Sequence, residues 1–428
     1  MKIATKKMSY EDVLKLPRLK HKKPLKPQLW LATIVHIVCA STLRKIKFSY
    51  TTERMDLVGD QPCLILMNHS SFTDMKLAYG IFYPKKLGIV TSVDAMTGIL
   101  GKLMRLLGCT PTHKYITDLT LFKDMEYMLK TNKSSVLMYP EAGYSFDGCA
   151  TALPRKMGVL LKRLDVPVVT VITEGAFHRD PLYNMLQIRD VKVSAHVKCI
   201  ATAEEVKAKS VDELDALIAE AFSFDNFAWQ RDNKVSIDVP FRADGLHRIL
   251  YKCPHCGAEN QMEGKGIHLT CHACNTQWTM DEYGQLSAKD TDTVYPHIPD
   301  WYRWQRDCVR KELEEGTYVL DTDVDIAVQV NLDGVCMIGE GHLIHDLNGF
   351  RLTGGDGKLD YTQSPVHSHT LYSDYYWYEI GDVIGIGDNE FSYFCFPKTN
   401  VSVTKARLAT EELYKMKKQR KSVVDKQR

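Results

Sequence analysis

Along the first half of the chain, short apolar runs end in polar turns, and the runs alternate between two periods. Residues 48–52, 63–67, 87–90, 136–139 and 166–172 have the length and β-branched content of strands, several of them buried. Between them, residues 75–82, 99–107, 119–129 and 159–164 space their apolar positions as helices do. Strand and helix in alternation predict an α/β layered sheet with helices on its faces. Residues 203–222 follow as one helix, with a capping box at Ser210 and Glu213. The pattern then changes. Residues 301–315 form a charged helix, 317–397 break into many short strands, and 404–418 form a last helix before a Lys/Arg-rich tail.

The first 47 residues differ from both regions. Lysines and prolines alternate up to Pro27, which predicts a basic, partly unstructured lead. Residues 29–40 are apolar and close on Arg44, Lys45 and Lys47. About 15 apolar residues fall short of the roughly 20 that span a bilayer. The run also lies too far from Met1 for an ordinary signal peptide. The expectation is a helix lying in the cytoplasmic face of a membrane, peripheral or monotopic, with its lysines on anionic headgroups.

Composition narrows the picture only a little. The 428 residues exceed one ordinary domain, and 44% hydrophobic with 25% charged residues is globular composition. A net charge of +2 argues against a partner bound by bulk electrostatics. The twelve cysteines lack dense disulfide spacing, which favours a reducing compartment.

The candidate chemistry begins where the run 63–67 ends, in Asn68-His69-Ser70-Ser71-Phe72-Thr73-Asp74. If a helix opens at Ser70 or Ser71, Asp74 folds back to accept the Nδ1 proton of His69. Nε2 is then free to take a proton from a hydroxyl, giving a general base with its orienting carboxylate and no nucleophile of its own. About 70 residues on, the run 136–139 enters Pro140-Glu141-Ala142-Gly143-Tyr144-Ser145.

Together these stretches resemble the glycerolipid acyltransferase family, which includes the lysophosphatidic acid acyltransferases. Its Asn-His-x4-Asp motif matches at Asn68, His69 and Asp74. Its Phe-Pro-Glu-Gly-Thr-Arg-Ser motif matches at Pro140, Glu141 and Ser145, with Tyr139 in the Phe place. The resemblance covers roughly residues 50 to 235 and implies a glycerolipid acyltransferase-type layered sheet. It implies His69 and Asp74 as the catalytic pair, with Asn68 or a backbone N–H supporting the oxyanion. Lys114, six residues after Gly108, takes the place of an arginine that holds the acceptor's phosphate. Glu141 would sit in the turn beside the acceptor, accepting hydrogen bonds from its hydroxyls or anchoring the basic residues. Tyr144 replaces a second phosphate-binding arginine, and Arg155 or Lys156 is then expected to restore that charge.

Beyond residue 250 the strongest signal is Cys253-Pro254-His255-Cys256, followed after 14 residues by Cys271-His272-Ala273-Cys274. Two CxxC knuckles at this distance offer four thiolates to a structural Zn²⁺ in a small zinc ribbon. Few basic residues surround them, Lys252 and Lys265 among them, so no nucleic acid is expected. The strands that follow, capped by one helix, look like a pleckstrin-homology-type module.

The expected domains are 1–47, a basic segment with a membrane-associated helix; 48–240, the acyltransferase domain; 248–285, the zinc ribbon; and 300–428, the β-rich domain with its C-terminal helix. The expected activity moves a fatty acyl group from acyl-CoA or acyl-ACP to the free hydroxyl of a lysophospholipid, 1-acyl-sn-glycerol-3-phosphate foremost, in phospholipid biosynthesis. The alternative is a non-catalytic membrane scaffold that binds partners through the ribbon and β-module.

Overall fold

The computed structural model describes residues 2–114 and 118–426, with side chains as far as Lys418; the basic tail lies outside the described side chains. The chain divides into two compact units. One is Lys20–Pro181 with Gln187–Asn226; the other is Met1–Leu19 with Leu182–Leu186 and Phe227–Arg428. The expected 1–47 segment is therefore split. Its first part is ordered: β1 (Thr5–Lys7) and α1 (Tyr10–Leu14) belong to the unit that contains the C-terminus.

The α/β unit begins with α2 (Leu29–Lys45) and continues as β2 (Ser49–Glu53), β3 (Leu64–Met67), α3 (Asp74–Phe82), β4 (Leu87–Ser92), α4 (Gly98–Leu106) and β5 (Cys109–Thr112). Then come α5 (Leu119–Lys130), β6 (Ser135–Met138), α6 (Met157–Leu164), β7 (Val168–Glu174) and β8 (Ser194–Ala201). The seven strands stand in the order β2-β8-β7-β3-β6-β4-β5. Only the β7–β8 pair is antiparallel. Helices on the faces bury β3 on both sides, which is why it reads as an unbroken apolar run. Leu64 and Leu66 share a core with Met128, Val136, Leu161, Val168 and Ile218.

The helix expected over 203–222 is two helices, Ala203–Ala208 and Val211–Ala221. Each has its own capping box, Thr202 with Glu205 and Ser210 with Glu213. The second box ends the first helix by giving the backbone N–H of Ser210 a carboxylate partner.

In the other unit, β9 (Met262–Lys265), β10 (His268–Cys271), β11 (Gln277–Met280) and β12 (Leu286–Ala288) form an antiparallel sheet around the cysteines. The helix Ile298–Glu315 packs Trp301 against Trp278 and returns its indole N–H to the Lys252 carbonyl. Seven longer strands follow: β13 (Leu320–Gln329), β14 (Val335–Asp346), β15 (Gly349–Gly354), β16 (Leu359–Gln363), β17 (Tyr372–Trp377), β18 (Gly381–Gly387) and β19 (Ser392–Pro397). Their order, β16-β15-β14-β13-β19-β18-β17, is a meander whose last strand returns beside its first. β1 adds to it by pairing in parallel with the start of β14. The final helix, Val403–Lys426, binds Ile298–Glu315 through Glu411 and Glu412, which face Arg306 and Arg310.

Gly158 shows how tightly the α/β core is closed. Its N–H donates to Asp215, and a Cβ there would lie 2.4 Å from the Val211 carbonyl oxygen. Gly158→Ala is expected to cost roughly 1–3 kcal/mol in urea unfolding; a midpoint equal to that of the wild type would contradict this packing.

Candidate active site and cysteine cluster

β3 and β6 are parallel neighbours, with Leu66 opposite Met138. The turns that leave their carboxyl ends therefore emerge side by side, and topology alone brings residues 68–74 to residues 139–145. This is the edge at which open α/β sheets bind ligands.

The first turn is built around one carboxylate oxygen. Asp74 Oδ2 accepts from the Ser70 and Ser71 backbone N–H groups at 2.9 and 3.1 Å and meets His69 Nδ1 at 2.8 Å. Such a carboxylate is an acceptor, so Nδ1 carries the ring proton and Nε2 presents its lone pair. The helix begins at Asp74 itself, as the apolar pattern over 75–82 predicts, and not at Ser70 or Ser71; the carboxylate ties back the loop before it.

The second turn grips the backbone of His69. Its N–H donates to Glu141 Oε1 at 3.2 Å, and its carbonyl accepts from the Ser145 N–H at 3.1 Å. The other Glu141 oxygen accepts from the Thr151 N–H at 2.7 Å. Glu141 is fully buried, and these two bonds place its carboxylate within the frame of the site. Asn68 departs from expectation. Its amide nitrogen donates to Ser70 Oγ and the Thr173 carbonyl, and its oxygen accepts from the Thr173 N–H and hydroxyl. All four hydrogen-bonding positions are occupied, so it ties β3 to β7 and has no donor left for an oxyanion.

The imidazole lies between two phenol rings, Tyr139 at 4.2 Å and Tyr144 at 3.9 Å between centroids, both nearly parallel to it. Phe72 stacks on Tyr144 at 5.1 Å. Tyr144 thus covers a face of the histidine whose side chain is 17% exposed. Burial holds the His69 pKa below its ordinary value against the raising effect of Asp74, and the charge of Lys114 lowers it further. Lys114, at the carboxyl end of β5, is therefore close enough for its charge to act on the base. Arg155 and Lys156 stand exposed before α6.

Several contributors carry no motif signal. Ser71 donates to Asp180 at 2.6 Å, and burial pushes the Asp180 carboxyl up to about 6. Thr151 acts through its backbone N–H, and Thr173 through its N–H, carbonyl and hydroxyl. Ala142 stands where the family motif has glycine, yet its φ is +54°, a left-handed conformation costing a non-glycine residue roughly 1–2 kcal/mol.

Comparison with known proteins agrees with this construction over part of the chain. Residues 45–174 match the family model described as Acyltransferase. They are an acyltransferase domain. The chemistry at this level is acyl transfer. No curated protein matches the chain. Among solved structures, the 1-acyl-sn-glycerophosphate (LPA) acyltransferase PlsC from Thermotoga maritima is similar at 15% identity and a TM-score of 0.33. The match covers 45% of this chain and 80% of that one, a likeness too low to carry any part of the case.

Outside the acyltransferase domain, Cys253, Cys256, Cys271 and Cys274 bring their sulfurs within 4.8 Å of one another. All four are free thiols, with Sγ–Sγ separations of 3.8 Å for Cys253–Cys274 and for Cys256–Cys271. A tetrahedron with metal–sulfur bonds of about 2.3 Å has edges of about 3.8 Å. The thiols are spaced for a bound ion. Gly257 and Asn275 take positive φ just after each knuckle, as its turn requires.

If Tyr144 keeps His69 dry and oriented, Tyr144→Leu lowers kcat for acyl transfer about tenfold or more. It also moves the acid limb of the pH–rate profile upward, toward about pH 6.5, because the base is neutral only above its pKa and the uncovered imidazole regains water. Tyr144→Phe keeps both rate and limb. An unmoved limb in the leucine variant would show that the tyrosine is not the cover.

Proposed function

We propose that the domain transfers a fatty acyl group from an acyl thioester, acyl-CoA or acyl-ACP, to the free hydroxyl of a lysophospholipid, with 1-acyl-sn-glycerol-3-phosphate as the leading acceptor. The observation that carries the reading is the 2.8 Å contact of His69 Nδ1 with an Asp74 oxygen already bonded by two backbone N–H groups. His69 Nε2 removes the acceptor's hydroxyl proton as the oxygen attacks the thioester carbonyl. The tetrahedral intermediate collapses with loss of the thiolate, which takes the proton back from the imidazolium. Asp74 stabilises that imidazolium and keeps the tautomer, without itself taking the proton. Lys114 supplies positive charge for the acceptor's phosphate, as a point charge and not a fork. With Tyr144 in place of the family's arginine, Arg155 and Lys156 remain candidates for a second contact.

The intact His69–Asp74 pair favours this reading over a non-catalytic scaffold. The reaction would run at the cytoplasmic face of a membrane, with α2 as the contact. We infer further that the four cysteines hold a structural Zn²⁺ in a zinc ribbon, since all four tetrahedral positions would be filled by thiolates and none would remain for substrate. The meander of seven strands with its C-terminal helix supports a pleckstrin-homology-type module.

Thiol release and lipid mass spectrometry, with acyl-CoA or acyl-ACP against a panel of lysophospholipids and uncharged alcohols, test the activity. His69→Ala and Asp74→Asn are each expected to lose roughly a thousandfold in kcat. Lys114→Ala should raise KM selectively for phosphate-bearing acceptors. Turnover surviving in His69→Ala would rule out this mechanism. For the metal, elemental analysis should find zinc equimolar with the chain. Cys271→Ser or a strong chelator should remove it and lower the melting temperature, while a metal-free protein of unchanged stability would contradict the ribbon.

A further inference from the structure

The loop that aligns the His69–Asp74 pair is anchored from a part of the chain that neither motif contains. The hydrogen bonds to the Asp74 carboxylate all converge on Oδ2, from His69 Nδ1 and from the Ser70 and Ser71 backbone N–H groups. The other oxygen, Oδ1, is buried and accepts none among the described residues. The carboxylate, and with it the ring of His69, is therefore aimed by where the two serine N–H groups stand. Each serine is held in turn by its own hydroxyl. Ser70 Oγ accepts from the Asn68 amide, which is tied to Thr173 on β7. Ser71 Oγ donates to Asp180 Oδ1 at 2.6 Å, across 109 positions of sequence.

Asp180 follows β7 through the single-turn helix Ala176–Arg179, beyond the segment 45–174 that matches the family model. Its side chain is buried and both oxygens are engaged, Oδ1 by Ser71 and Oδ2 by the Arg179 guanidinium at 2.7 Å. Ser71 Oγ is used to capacity. It gives its proton to Asp180 and accepts from the Thr73 N–H at 3.1 Å and the Thr73 hydroxyl at 2.8 Å. Burial pushes the Asp180 carboxyl up to about 6, and the charge of Asp74 acts in the same direction; the Ser71 hydroxyl, Arg179 and Lys76 oppose them. A second carboxylate beside Asp74 thus works against its own ionisation. An apolar side chain would fill the same space without that cost, so packing alone does not account for it.

We propose that Asp180 is a positioning residue for the general base: through the Ser71 hydroxyl it fixes the Ser71 N–H on Asp74 Oδ2, and so keeps Nδ1 of His69 turned to Asp74 and Nε2 presented to the acceptor. Asp180 touches neither substrate nor imidazole, and no proton passes through it. The role rests on the acyl-transfer reading above and deepens it, by placing the second anchor of the catalytic loop after β7.

Kinetics of two variants and nitrogen-15 NMR of histidine-labelled protein test it. Ser71→Ala and Asp180→Leu should each lower kcat for acyl transfer about ten- to a hundredfold, with KM for donor and acceptor within about twofold of the wild type. The double variant should lose no more than the worse single one, because the two groups act in series. Asp180→Asn keeps an oxygen for the Ser71 hydroxyl and should retain at least about a third of the wild-type kcat. Since Asp180→Leu also strands Arg179, Ser71→Ala, which leaves the Asp180–Arg179 pair intact, decides the matter where the leucine variant folds poorly. In the spectrum of Ser71→Ala, an Nε2–H fraction of His69 should appear beside the Nδ1–H form, an effect that lowered stability does not produce in protein that stays folded. Wild-type kcat in both variants, additive losses, a fall in kcat with the tautomer unchanged, or an asparagine variant as impaired as the leucine one would each overturn the proposal. Absence of acyl transfer by the wild type would instead refute the enzymatic reading, and the tautomer comparison would still decide the positioning role.

Discussion

The acyltransferase site depends on how completely the backbone of His69 is held. A base need only orient a ring, yet here the residue is fixed from three directions. Asp74 binds the imidazole and the two N–H groups that follow it. Glu141 takes the His69 N–H, and Ser145 gives its N–H to the His69 carbonyl. Because Glu141 also holds Thr151, the two turns and the loop beyond them form one hydrogen-bonded frame. A ring placed in this way loses little freedom when substrate arrives, and that pre-organisation is what a proton transfer requires.

Around that frame the site is more aromatic than cationic. Tyr139, Tyr144 and Phe72 form a continuous stack with His69, and a stacked phenol occupies the motif position where relatives carry a guanidinium. At that position the Tyr144 ring gives cover to the base. Lys114 is a cation whose field reaches the imidazole, lowering its pKa in the same direction as burial. A base with a lowered pKa is weaker but stays unprotonated over a wider range of pH.

Much of this was legible in the sequence, and the misses have physical causes. The strands β3 and β6 and the pairing of His69 with Asp74 could be read because a buried parallel strand is a continuous apolar run. β8 was not read: its inward positions are Ala195, Val197 and Cys199, mostly small residues, between polar ones facing out. β1 was hidden because it is three exposed residues whose partner lies more than 320 positions away. The partners of Asn68 and Glu141, Thr173 and Thr151, stand outside the motifs, so no motif contains these contacts. The aromatic stack joins turns about 70 residues apart, so no local pattern contains it. The cysteine spacing, by contrast, was sufficient to place four sulfurs together.

The central claim is that His69 rests as a neutral base, protonated on Nδ1 by virtue of Asp74, with Nε2 available. Nitrogen-15 NMR of histidine-labelled protein reads this directly, with the His69 signals assigned by their absence in His69→Ala. The account predicts the Nδ1–H tautomer and a titration midpoint below the ordinary histidine value of about 6.5. An Nε2–H tautomer, or a midpoint above that value, would contradict it.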